Sequence, residues 1–451
     1  MKIIMVGGGG ASIVCANTLR LLRNHAQIDI YTRRERTAYT PCEQPFFLRN
    51  VLTFDEMFYA NLEWFASKKI GLYTQRNVET IDRERKIIMV DGEEISYDIL
   101  LINTGAKSKM PPVPGFKGER VLSLISDLKS AKQIESILPI GKSAVIIGGG
   151  VVGLEMAETL IKKSYSQVSI IVSSENILSQ QLDPDMAKWL EPDIINAGVS
   201  LYLSTSIKKA ILTDENVKIF LSGDKLIEAD WAFISKGIVP DTDLAMNAGL
   251  KIGKTGGIEV NKYLQTSDPS IYAAGDCVEG WHMLSGKKFI NGLATNSNRN
   301  GRVIARNIHF GNVVPFAGAL HTFGAEIFGK TVVSVGLTER KSSEEGLDAI
   351  SVKRTSKTRK KMFNGEDIRI KLFADPEKQT LIGAQLIGPR EVSRIGERII
   401  LMVGEEIPLA KISQYETIFS PPLSNAYDII TNGIDILISN IIEMGKEIKW
   451  E

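Results

Sequence analysis

Three cysteines are the residues of this chain best suited to redox chemistry, and their spacing limits what they can do. Cys15, Cys42 and Cys277 lie far apart among the 451 residues, and no two form a C-x-x-C or similarly close pair. A disulfide framework or a zinc site needs more cysteines at closer spacing. Thiol chemistry would therefore use one protein cysteine, with its partner supplied by the substrate or by oxygen, and we expect no metal site.

A glycine loop between an apolar strand and a helical pattern is the next chemically informative feature. In SAVIIGGGVVG, Gly148, Gly150 and Gly153 complete a G-x-G-x-x-G spacing. The first glycine makes a tight turn, the second lets the backbone approach a pyrophosphate, and the third permits close helix–strand packing. The N-terminus of the following helix offers N–H groups and positive potential to phosphate. The sequence therefore predicts a dinucleotide site here.

A second loop of the same kind begins the chain. KIIMVGGGGAS has Gly7 and Gly9 in place, and Ser12, a small residue, at the third position. Each loop is followed by another apolar strand, QIDIYT or QVSIIV. Strand, helix and strand thus occur twice, which predicts two nucleotide-binding domains with parallel sheets.

Neither second strand ends in the acidic residue that usually binds ribose hydroxyls. The corresponding positions are Thr32, followed by two arginines, and Ser173, followed by Ser174 and Glu175. In the first domain, Thr32 or Glu35 are the candidates to replace the missing contact. In the second, the absent carboxylate removes repulsion of a 2′-phosphate, so NADH and NADPH both stay open.

Two further regions show how the chain is organised. TSDPSIYAAGDC ends a predicted strand in Ala-Gly-Asp, which would present Asp276 as a hydrogen-bond acceptor to a polyhydroxyl chain. After about residue 325, DIRIKLFAD and TLIGAQLIG predict strands, and helical patterns follow near residues 393–405 and over the last twenty or so residues. This part predicts a separate α+β domain.

Bulk composition excludes several classes of protein. The chain is 43% hydrophobic and 24% charged, and 54 Lys plus Arg against 53 Asp plus Glu give a net charge of +1. Nothing global indicates nucleic acid or an anionic membrane as partner. The chain starts directly with a strand pattern, without a leader or an apolar run of about 20 residues, so we expect a cytoplasmic protein.

One local exception is a basic run from Lys353 to Lys361, with six basic residues in nine positions. A solvated hairpin or loop is the simpler interpretation. The alternative is a contact with an anion, such as the phosphates of a nucleotide-bearing substrate.

Taken together, these motifs resemble the single-cysteine branch of the pyridine nucleotide–disulfide oxidoreductases. That branch contains coenzyme A disulfide reductases, NADH oxidases, NADH peroxidases and persulfide or polysulfide reductases. The resemblance spans essentially the whole chain. It is carried by both glycine loops, Thr104-Gly105-Ala106, GLEMAE at 153–158, Gly237 with Pro240, Ala274-Gly275-Asp276, and NRNGR at 298–302.

The resemblance implies an α/β fold with an FAD domain divided by an NAD(P)H domain and followed by a dimerisation domain. The expected boundaries are 1–110 and 246–322 for the two parts of the FAD domain, 111–245 for the NAD(P)H domain, and 323–451 for an α+β domain that forms a homodimer. Cys42 would lie beside the flavin as the redox-active residue.

The resemblance also implies further site residues. Cofactor contacts are expected at Gly7, Gly9, Gly10, Ala11, Thr32, Arg33, Thr104, Gly105, Gly148, Gly150, Val152, Gly153, Glu158, Gly237, Gly275, Asp276, Ala294 and Thr295. Substrate contacts are expected at Arg20, Pro45, Phe419 and Tyr427.

Three departures from the family pattern narrow the expected activity. Oxidases and peroxidases carry a histidine where this chain has Gly10, and all four histidines lie elsewhere. Coenzyme A disulfide reductases place a tyrosine of the partner subunit where Phe419 lies, and phenylalanine cannot donate a hydrogen bond. Glu43 beside Cys42 would raise the pKa of the thiol.

These features predict an FAD-dependent NAD(P)H oxidoreductase that reduces a disulfide, persulfide or polysulfide through Cys42. The expected substrate is a small molecule, and a coenzyme A-linked substrate stays open. Three alternatives stay open: an NAD(P)H oxidase reducing oxygen at the flavin, an electron-transfer reductase for a protein partner, and a redox sensor that binds nucleic acid or protein through the basic run.

Overall fold

A computed structural model describes residues 1–124 and 128–450 of the chain. Its first part alternates strands and short helices. The elements up to residue 110 are β1 (Lys2–Val6), α1 (Gly10–Leu21), β2 (Gln27–Tyr31), α2 (Gln44–Leu48), α3 (Leu62–Ser67), β3 (Gly71–Tyr73), β4 (Val78–Asp82), β5 (Ile87–Val90), β6 (Glu93–Ser96), β7 (Ile99–Ile102) and β8 (Ala106–Ser108).

The middle of the chain repeats this alternation. Its elements are β9 (Val121–Ser123), α4 (Leu128–Ile137), β10 (Ser143–Ile147), α5 (Val151–Lys162), β11 (Gln167–Ile171), α6 (Pro184–Ala187), α7 (Glu191–Asn196), β12 (Val199–Tyr202), β13 (Ile207–Leu212), β14 (Val217–Leu221), β15 (Leu226–Ala229), β16 (Trp231–Ile234), β17 (Ile238–Pro240) and α8 (Asp243–Asn247).

The rest of the chain includes the longest strands and helices of the described residues. Its elements are β18 (Ile258–Glu259), β19 (Ile271–Ala273), β20 (Val278–Trp281), β21 (Lys288–Ile290), α9 (Ala294–Phe310), β22 (Phe323–Ile327), β23 (Lys330–Gly336), α10 (Glu339–Glu344), β24 (Ile350–Lys357), β25 (Asp367–Asp375), β26 (Thr380–Gly388), α11 (Val392–Gly404), α12 (Leu409–Ile412) and α13 (Ile429–Glu443).

Three five-stranded sheets organise these elements. The first, in the order β19-β7-β1-β2-β3, and the second, β12-β11-β10-β16-β9, have parallel strands, whereas the third, β22-β23-β26-β25-β24, is antiparallel. Strand β19 joins the first sheet after the chain has built the second. The predicted α/β fold with two Rossmann-like sheets and a C-terminal α+β domain is confirmed. We call these the first, second and third domains.

The parallel sheets form because their central strands are apolar on both faces. Ile3, Ile4 and Met5 of β1 are fully buried, and the corresponding strand β10 is buried equally well. Such continuous apolar runs are typical of strands covered by helices on both sides. The loops that follow β1 and β10 consequently open at the carboxyl edges of their sheets.

Helices α1 and α9 pack unusually closely, and this contact sets the position of both N-termini. A Cβ at Gly301 would lie 2.4 Å from the backbone oxygen of Ala11, so a larger residue would separate the helices. Helix α9 begins at Ala294. Its first turn contains Thr295, Asn296 and Ser297, weak helix formers that packing against α1 holds helical.

A buried cluster of charges joins the second and third domains. The Lys371 ammonium, 5% exposed, lies 3.1 Å from a carboxylate oxygen of Asp183, 3.1 Å from one of Asp185 and 2.7 Å from one of Glu339. A buried charge is tolerated when it is paired and hydrogen-bonded in this way. The cluster fixes the second sheet against the third.

The basic run lies on strand β24 and the hairpin that follows it, as the simpler interpretation predicted. Lys353 pairs with Asp185 at 2.9 Å, Lys357 with Asp367 at 2.7 Å, and Arg359 with Glu391 at 3.0 Å. Much of its positive charge is therefore compensated within the chain. No helix in the described part of the chain is long and apolar enough to cross a membrane.

Candidate active site

A cavity of about 2610 Å³ opens between the three domains. Its wall includes the loops after β1 and β7, the turn that carries Cys42, one face of α5 and the first turn of α9. It brings together fourteen of the predicted site residues: Gly7, Gly9, Gly10, Thr32, Arg33, Cys42, Pro45, Thr104, Gly105, Val152, Gly237, Asp276, Ala294 and Thr295. A large cleft at the carboxyl ends of parallel strands is the usual place for a nucleotide cofactor.

Both glycine loops have the backbone that a dinucleotide requires. Gly7 has φ +101° and Gly148 has φ +119°, values that favour glycine. A Cβ at Gly7 would lie 2.1 Å from the Asn103 oxygen, and one at Gly148 would lie 2.1 Å from the Ser235 oxygen. Each loop therefore crosses the neighbouring strand end so closely that only glycine fits.

The third position of each loop sits under its helix. A Cβ at Gly153 would lie 2.2 Å from the Gly148 oxygen, so glycine is needed there. Ser12 is fully buried, and its hydroxyl lies 3.1 Å from the side-chain amide of Asn103. This hydrogen bond explains how serine is accepted in the first loop. Gly148, Gly150 and Gly153 lie beside the cavity and do not line it.

Asp276 occupies a polar position on the cavity wall. It lies in a 3-10 turn, Gly275–Cys277, directly after β19. Burial raises the pKa of the Asp276 carboxyl to about 6, and a hydrogen bond with Ser297 opposes this effect. The turn is anchored by the Gly275 N–H, which donates to the Asn300 side chain of α9 at 3.2 Å. A carboxylate held in this way can accept hydrogen bonds from a polyhydroxyl chain.

The predicted replacement for the acidic ribose contact lies at the far end of the cavity. Thr32 and Glu35 both line it, and the Thr32 hydroxyl accepts a hydrogen bond from the Arg34 N–H at 3.3 Å. Arg33 lies 3.4 Å from a carboxylate oxygen of Asp241. Both candidate residues thus have access to a ligand at this point.

Cys42 is the exposed cysteine of the three, whereas Cys15 and Cys277 are buried. It lies in a 3-10 turn, Pro41–Glu43, just before α2. The surrounding protein raises the pKa of the Cys42 thiol, first by desolvation and then by the negative charges of Glu155, Asp276 and Glu43. The predicted effect of Glu43 therefore has the right direction, but Glu155 and Asp276 contribute more.

Helix α5 carries two glutamates, Glu155 and Glu158, whose surroundings differ. Glu158 was predicted to contact the cofactor, but it does not line the cavity. Its carboxylate lies 3.3 Å from Arg49 and 2.6 Å from Lys162, and it accepts a hydrogen bond from the Phe328 N–H. Glu158 therefore forms a structural ion pair with Arg49.

Glu155 lines the cavity in its place, one helical turn earlier. Burial raises the pKa of the Glu155 carboxyl to about 7, with Arg49 lowering it and Glu158 raising it. Val152, Glu155 and Met156 follow the i, i+3, i+4 spacing of one helix face and all line the cavity. Both glutamates are sequence candidates for the nicotinamide side, and this spacing distinguishes Glu155 from Glu158, which lies a further turn along the helix and pairs with Arg49.

Arg20, predicted to bind substrate, is placed away from the cavity. Its guanidinium donates to four backbone carbonyls near the end of α1 and after α3, at 2.7–2.9 Å: those of Asn24, Ala26, Lys68 and Lys69. Four of its five N–H groups thus serve local structure, so the prediction of a substrate contact is not supported by the geometry.

Phe419 and Tyr427 lie in the exposed segment between α12 and α13. Their side chains are 51% and 53% exposed, and neither lines the cavity of its own chain. The Tyr427 hydroxyl lies 2.5 Å from a carboxylate oxygen of Asp435. Ala11, Gly275 and the three glycines of the second loop also lie outside the cavity lining, behind residues that do line it.

Sequence reasoning missed several residues of the wall, among them Tyr59 and His321. The His321 ring stacks on Phe289 with centroids 3.8 Å apart, and burial lowers the pKa of this histidine to about 3. It is therefore a neutral imidazole. No motif marked these two residues, because each lies in a loop whose position depends on the assembled domains.

Comparison with known proteins agrees with this architecture. The family model described as "Pyridine nucleotide-disulphide oxidoreductase" matches residues 1–301, and the model of the dimerisation domain of the same family matches residues 327–428. The chain belongs to the pyridine nucleotide–disulphide oxidoreductase family. FAD and NADH or NADPH are accordingly its cofactors, and the glycine loops and Asp276 fit them.

Individual relatives cover nearly the whole chain. An "NADH oxidase" of Methanocaldococcus jannaschii is 28% identical over 437 residues, 95% of this chain and 96% of that protein. An "NAD(P)H coenzyme A polysulfide/persulfide reductase" of Pyrococcus horikoshii is 29% identical over 435 residues, 95% of this chain and 96% of that protein. The solved "NAD-Dependent Persulfide Reductase from A. fulgidus" has a TM-score of 0.94 and 30% identity, covering 98% of this chain and 84% of that one.

Proposed function

We propose that this protein is an FAD-dependent NAD(P)H reductase of disulfides, persulfides or polysulfides, with Cys42 as its one redox-active thiol. The observation that carries the proposal is that Cys42 lines the cavity beside Asp276 and Pro45, whereas the other two cysteines are buried in the core. The names of the relatives from P. horikoshii and A. fulgidus support a sulfur acceptor.

The assignment of cofactor positions follows the two glycine loops. The first loop, with Thr32, Asp276 and the first turn of α9, would hold FAD, and the second loop, with Val152 and Glu155, would hold NAD(P)H. Bound FAD supplies the transfer of two electrons from the nicotinamide to sulfur, as cofactors of this kind do. The N-terminus of α9 would place positive potential against that site.

The chain's own part in the reaction is sulfur exchange at Cys42. Its thiolate would attack one sulfur of the acceptor and form a mixed disulfide or persulfide, releasing the other sulfur as a thiolate. Two electrons from NAD(P)H would then return Cys42 to the thiolate. Since its neighbours raise the pKa of Cys42 in the chain alone, we expect this residue to react more slowly below neutral pH.

We propose in addition that the enzyme is a homodimer. The segment between α12 and α13 ends at the limit of the matched dimerisation domain and exposes Ile418 by 85%, Leu423 by 65% and Phe419 by 51%. Exposed apolar side chains of this density are typical of an interface. In such a dimer, Phe419 and Tyr427 would reach the partner's cavity and contact the substrate there. The proposal includes coenzyme A-linked substrates and the predicted cytoplasmic location.

An anaerobic stopped-flow experiment tests the proposal. The wild-type protein is reduced with NADH or NADPH and mixed with polysulfide or coenzyme A disulfide. We expect fast flavin reoxidation by at least one acceptor and loss of that reaction by several orders of magnitude in Cys42→Ser. Cys15→Ala is the matched control, because it removes a thiol from the core and should leave reoxidation unchanged.

A second candidate, an NAD(P)H oxidase, is favoured by the name of the M. jannaschii relative. It predicts oxygen consumption that survives Cys42→Ser, with no faster reoxidation by sulfur compounds. That result would replace the reductase by the oxidase.

A further inference from the structure

We propose that Tyr59 is a catalytic residue of the sulfur exchange at Cys42: its hydroxyl donates a hydrogen bond to the sulfur that leaves when Cys42 attacks a disulfide or polysulfide. The inference rests on the proposed function of Cys42. It adds the group that stabilises the departing thiolate.

Backbone pairing ties Tyr59 to the turn that carries Cys42. The segments before the turn and before Tyr59 form an antiparallel bridge. The Thr40 N–H donates to the Met57 oxygen at 3.1 Å, and the Tyr59 N–H donates to the Ala38 oxygen at 3.0 Å. The two residues therefore lie on one rigid piece of the cavity wall, and both line the cavity.

The Tyr59 hydroxyl lies near the position that a side chain at residue 10 would occupy. A Cβ at Gly10 would lie 4.0 Å from the Tyr59 hydroxyl oxygen and 2.8 Å from the side-chain oxygen of Asn298. Gly10 and Asn298 also line the cavity. The Tyr59 hydroxyl and the Asn298 side chain thus place polar atoms next to Gly10 on the cavity wall.

The charges around Cys42 create a need for such a donor. The carboxyl groups of Glu155, Asp276 and Glu43 all raise the pKa of Cys42, so they disfavour negative charge on sulfur at this place. The protein atoms around the half-exposed Tyr59 ring raise the pKa of its hydroxyl to about 12. The group thus keeps its proton near neutral pH and acts as a neutral donor.

The step balances without any group beyond those already proposed. The Cys42 thiolate forms a bond to one acceptor sulfur, and the acceptor's S–S bond breaks. The electron pair leaves on the second sulfur, which accepts the Tyr59 hydrogen bond and afterwards a proton from solvent. The two electrons that later reduce the mixed disulfide come from NAD(P)H.

The test uses the dependence on leaving group, because a thiol of low pKa leaves without help whereas one of high pKa does not. The flavin-loaded wild type, Tyr59→Phe and Tyr263→Phe are reduced with NADH and mixed in a single turnover with an aryl disulfide, dithiobis(nitrobenzoate), or an alkyl disulfide, hydroxyethyl disulfide. Tyr263 is the matched control, since it lies outside the cavity lining. Thiol release and the mass of the Cys42 adduct are followed.

In Tyr59→Phe we expect adduct formation with the alkyl disulfide to be slowed about 10- to 100-fold, in line with the loss of one preorganised donor. The aryl disulfide should be slowed less than about 3-fold. Tyr263→Phe should match the wild type. Flavin content and the rate of flavin reduction by NADH verify that each variant is intact.

The outcomes separate the two proposals. No reaction of the wild type with either disulfide or with polysulfide would overturn the reductase function and the role of Tyr59 together. A reactive wild type combined with an unchanged Tyr59→Phe, or with equal losses on both disulfides, would overturn the role of Tyr59 alone.

Discussion

The helices α1 and α5 begin in the same way and then serve different purposes. Each follows a glycine with positive φ whose Cβ would lie 2.1 Å from a carbonyl oxygen of the neighbouring strand end. Beyond that point α1 presents Gly10 and Val14 to the cavity, whereas α5 presents Val152 and Glu155.

This comparison shows how much of the chemistry the shared unit contains. A strand, a glycine loop and a helix provide a backbone site for a pyrophosphate. The difference between a sulfur site and a nicotinamide site lies in the side chains one or two turns further along. Around α1 these come from other segments, namely Cys42 and Tyr59, whereas α5 supplies its own.

Replacing the first glycine of each loop should have the largest effect and should separate the two sites. Gly7→Val and Gly148→Val each force a side chain against a backbone oxygen, so the loop must move by more than 1 Å, which can cost about 100-fold in rate. We expect Gly7→Val to purify with little FAD. Gly148→Val should retain FAD and its reduction by dithionite but lose reduction by NAD(P)H about 100-fold. Flavin absorbance and stopped-flow reduction measure both.

The control for this pair is Gly92→Ala, at an exposed turn where a Cβ would meet no atom within 4 Å. It has positive φ, so it reports the backbone strain alone. Equal loss of FAD in Gly7→Val and Gly148→Val would contradict the assignment of separate roles to the loops.

Replacing the two glutamates of α5 should give the second-largest effects, and the two substitutions should change the free energy of unfolding in different ways. Glu158→Gln leaves the Arg49 guanidinium, whose side chain is 8% exposed, without its buried charge partner. The expected fall in the free energy of unfolding is about 3 kcal/mol. Glu155→Gln removes a carboxyl whose pKa the fold raises from 4.5 to about 7. Between these pH values the folded state binds more protons than the unfolded state, so wild-type stability falls as pH rises.

Glu155→Gln should therefore abolish that part of the pH dependence, about 2 kcal/mol, while causing no loss at neutral pH. Urea denaturation of both variants at pH 5 and pH 8 distinguishes the two roles. If Glu158→Gln abolished the pH dependence and Glu155→Gln lowered the free energy of unfolding, the roles assigned to the two glutamates would have to be exchanged.

Arg20 should give the smallest of the three effects. Arg20→Met removes hydrogen bonds to carbonyls that end α1 and follow α3, and we expect a loss of about 1–2 kcal/mol in the free energy of unfolding. The KM for coenzyme A disulfide should change less than about 2-fold. A tenfold rise in KM with unchanged stability would restore the predicted substrate contact.

The sequence predicted the fold well because the signals that define it are local. Strands β25 and β26 have the predicted bounds, Asp367–Asp375 and Thr380–Gly388, since apolar runs bounded by turns define them. The glycine loops, Asp276 and Cys42 were found because each lies within a short motif.

Two predicted site residues that the structure places away from the cavity have a common physical feature. Arg20 and Glu158 were assigned by family position, and each is instead bound by residues distant in sequence, Lys68 and Arg49 respectively. Tyr59 carries no motif, and its relation to Gly10 arises only when the loops are brought together. Pairings over such distances do not leave a periodic pattern, so the sequence did not reveal them.

The buried cluster of Lys371 with Asp183, Asp185 and Glu339 has a mechanical consequence. Swinging the second domain away from the third would separate the buried Lys371 ammonium from the buried Asp183 carboxylate, and separating buried partners costs several kcal/mol. A hinge between these domains is therefore expected to stay closed during turnover. Nucleotides and sulfur compounds would then enter and leave the cavity in turn through an opening of nearly constant shape, in which only individual loops move.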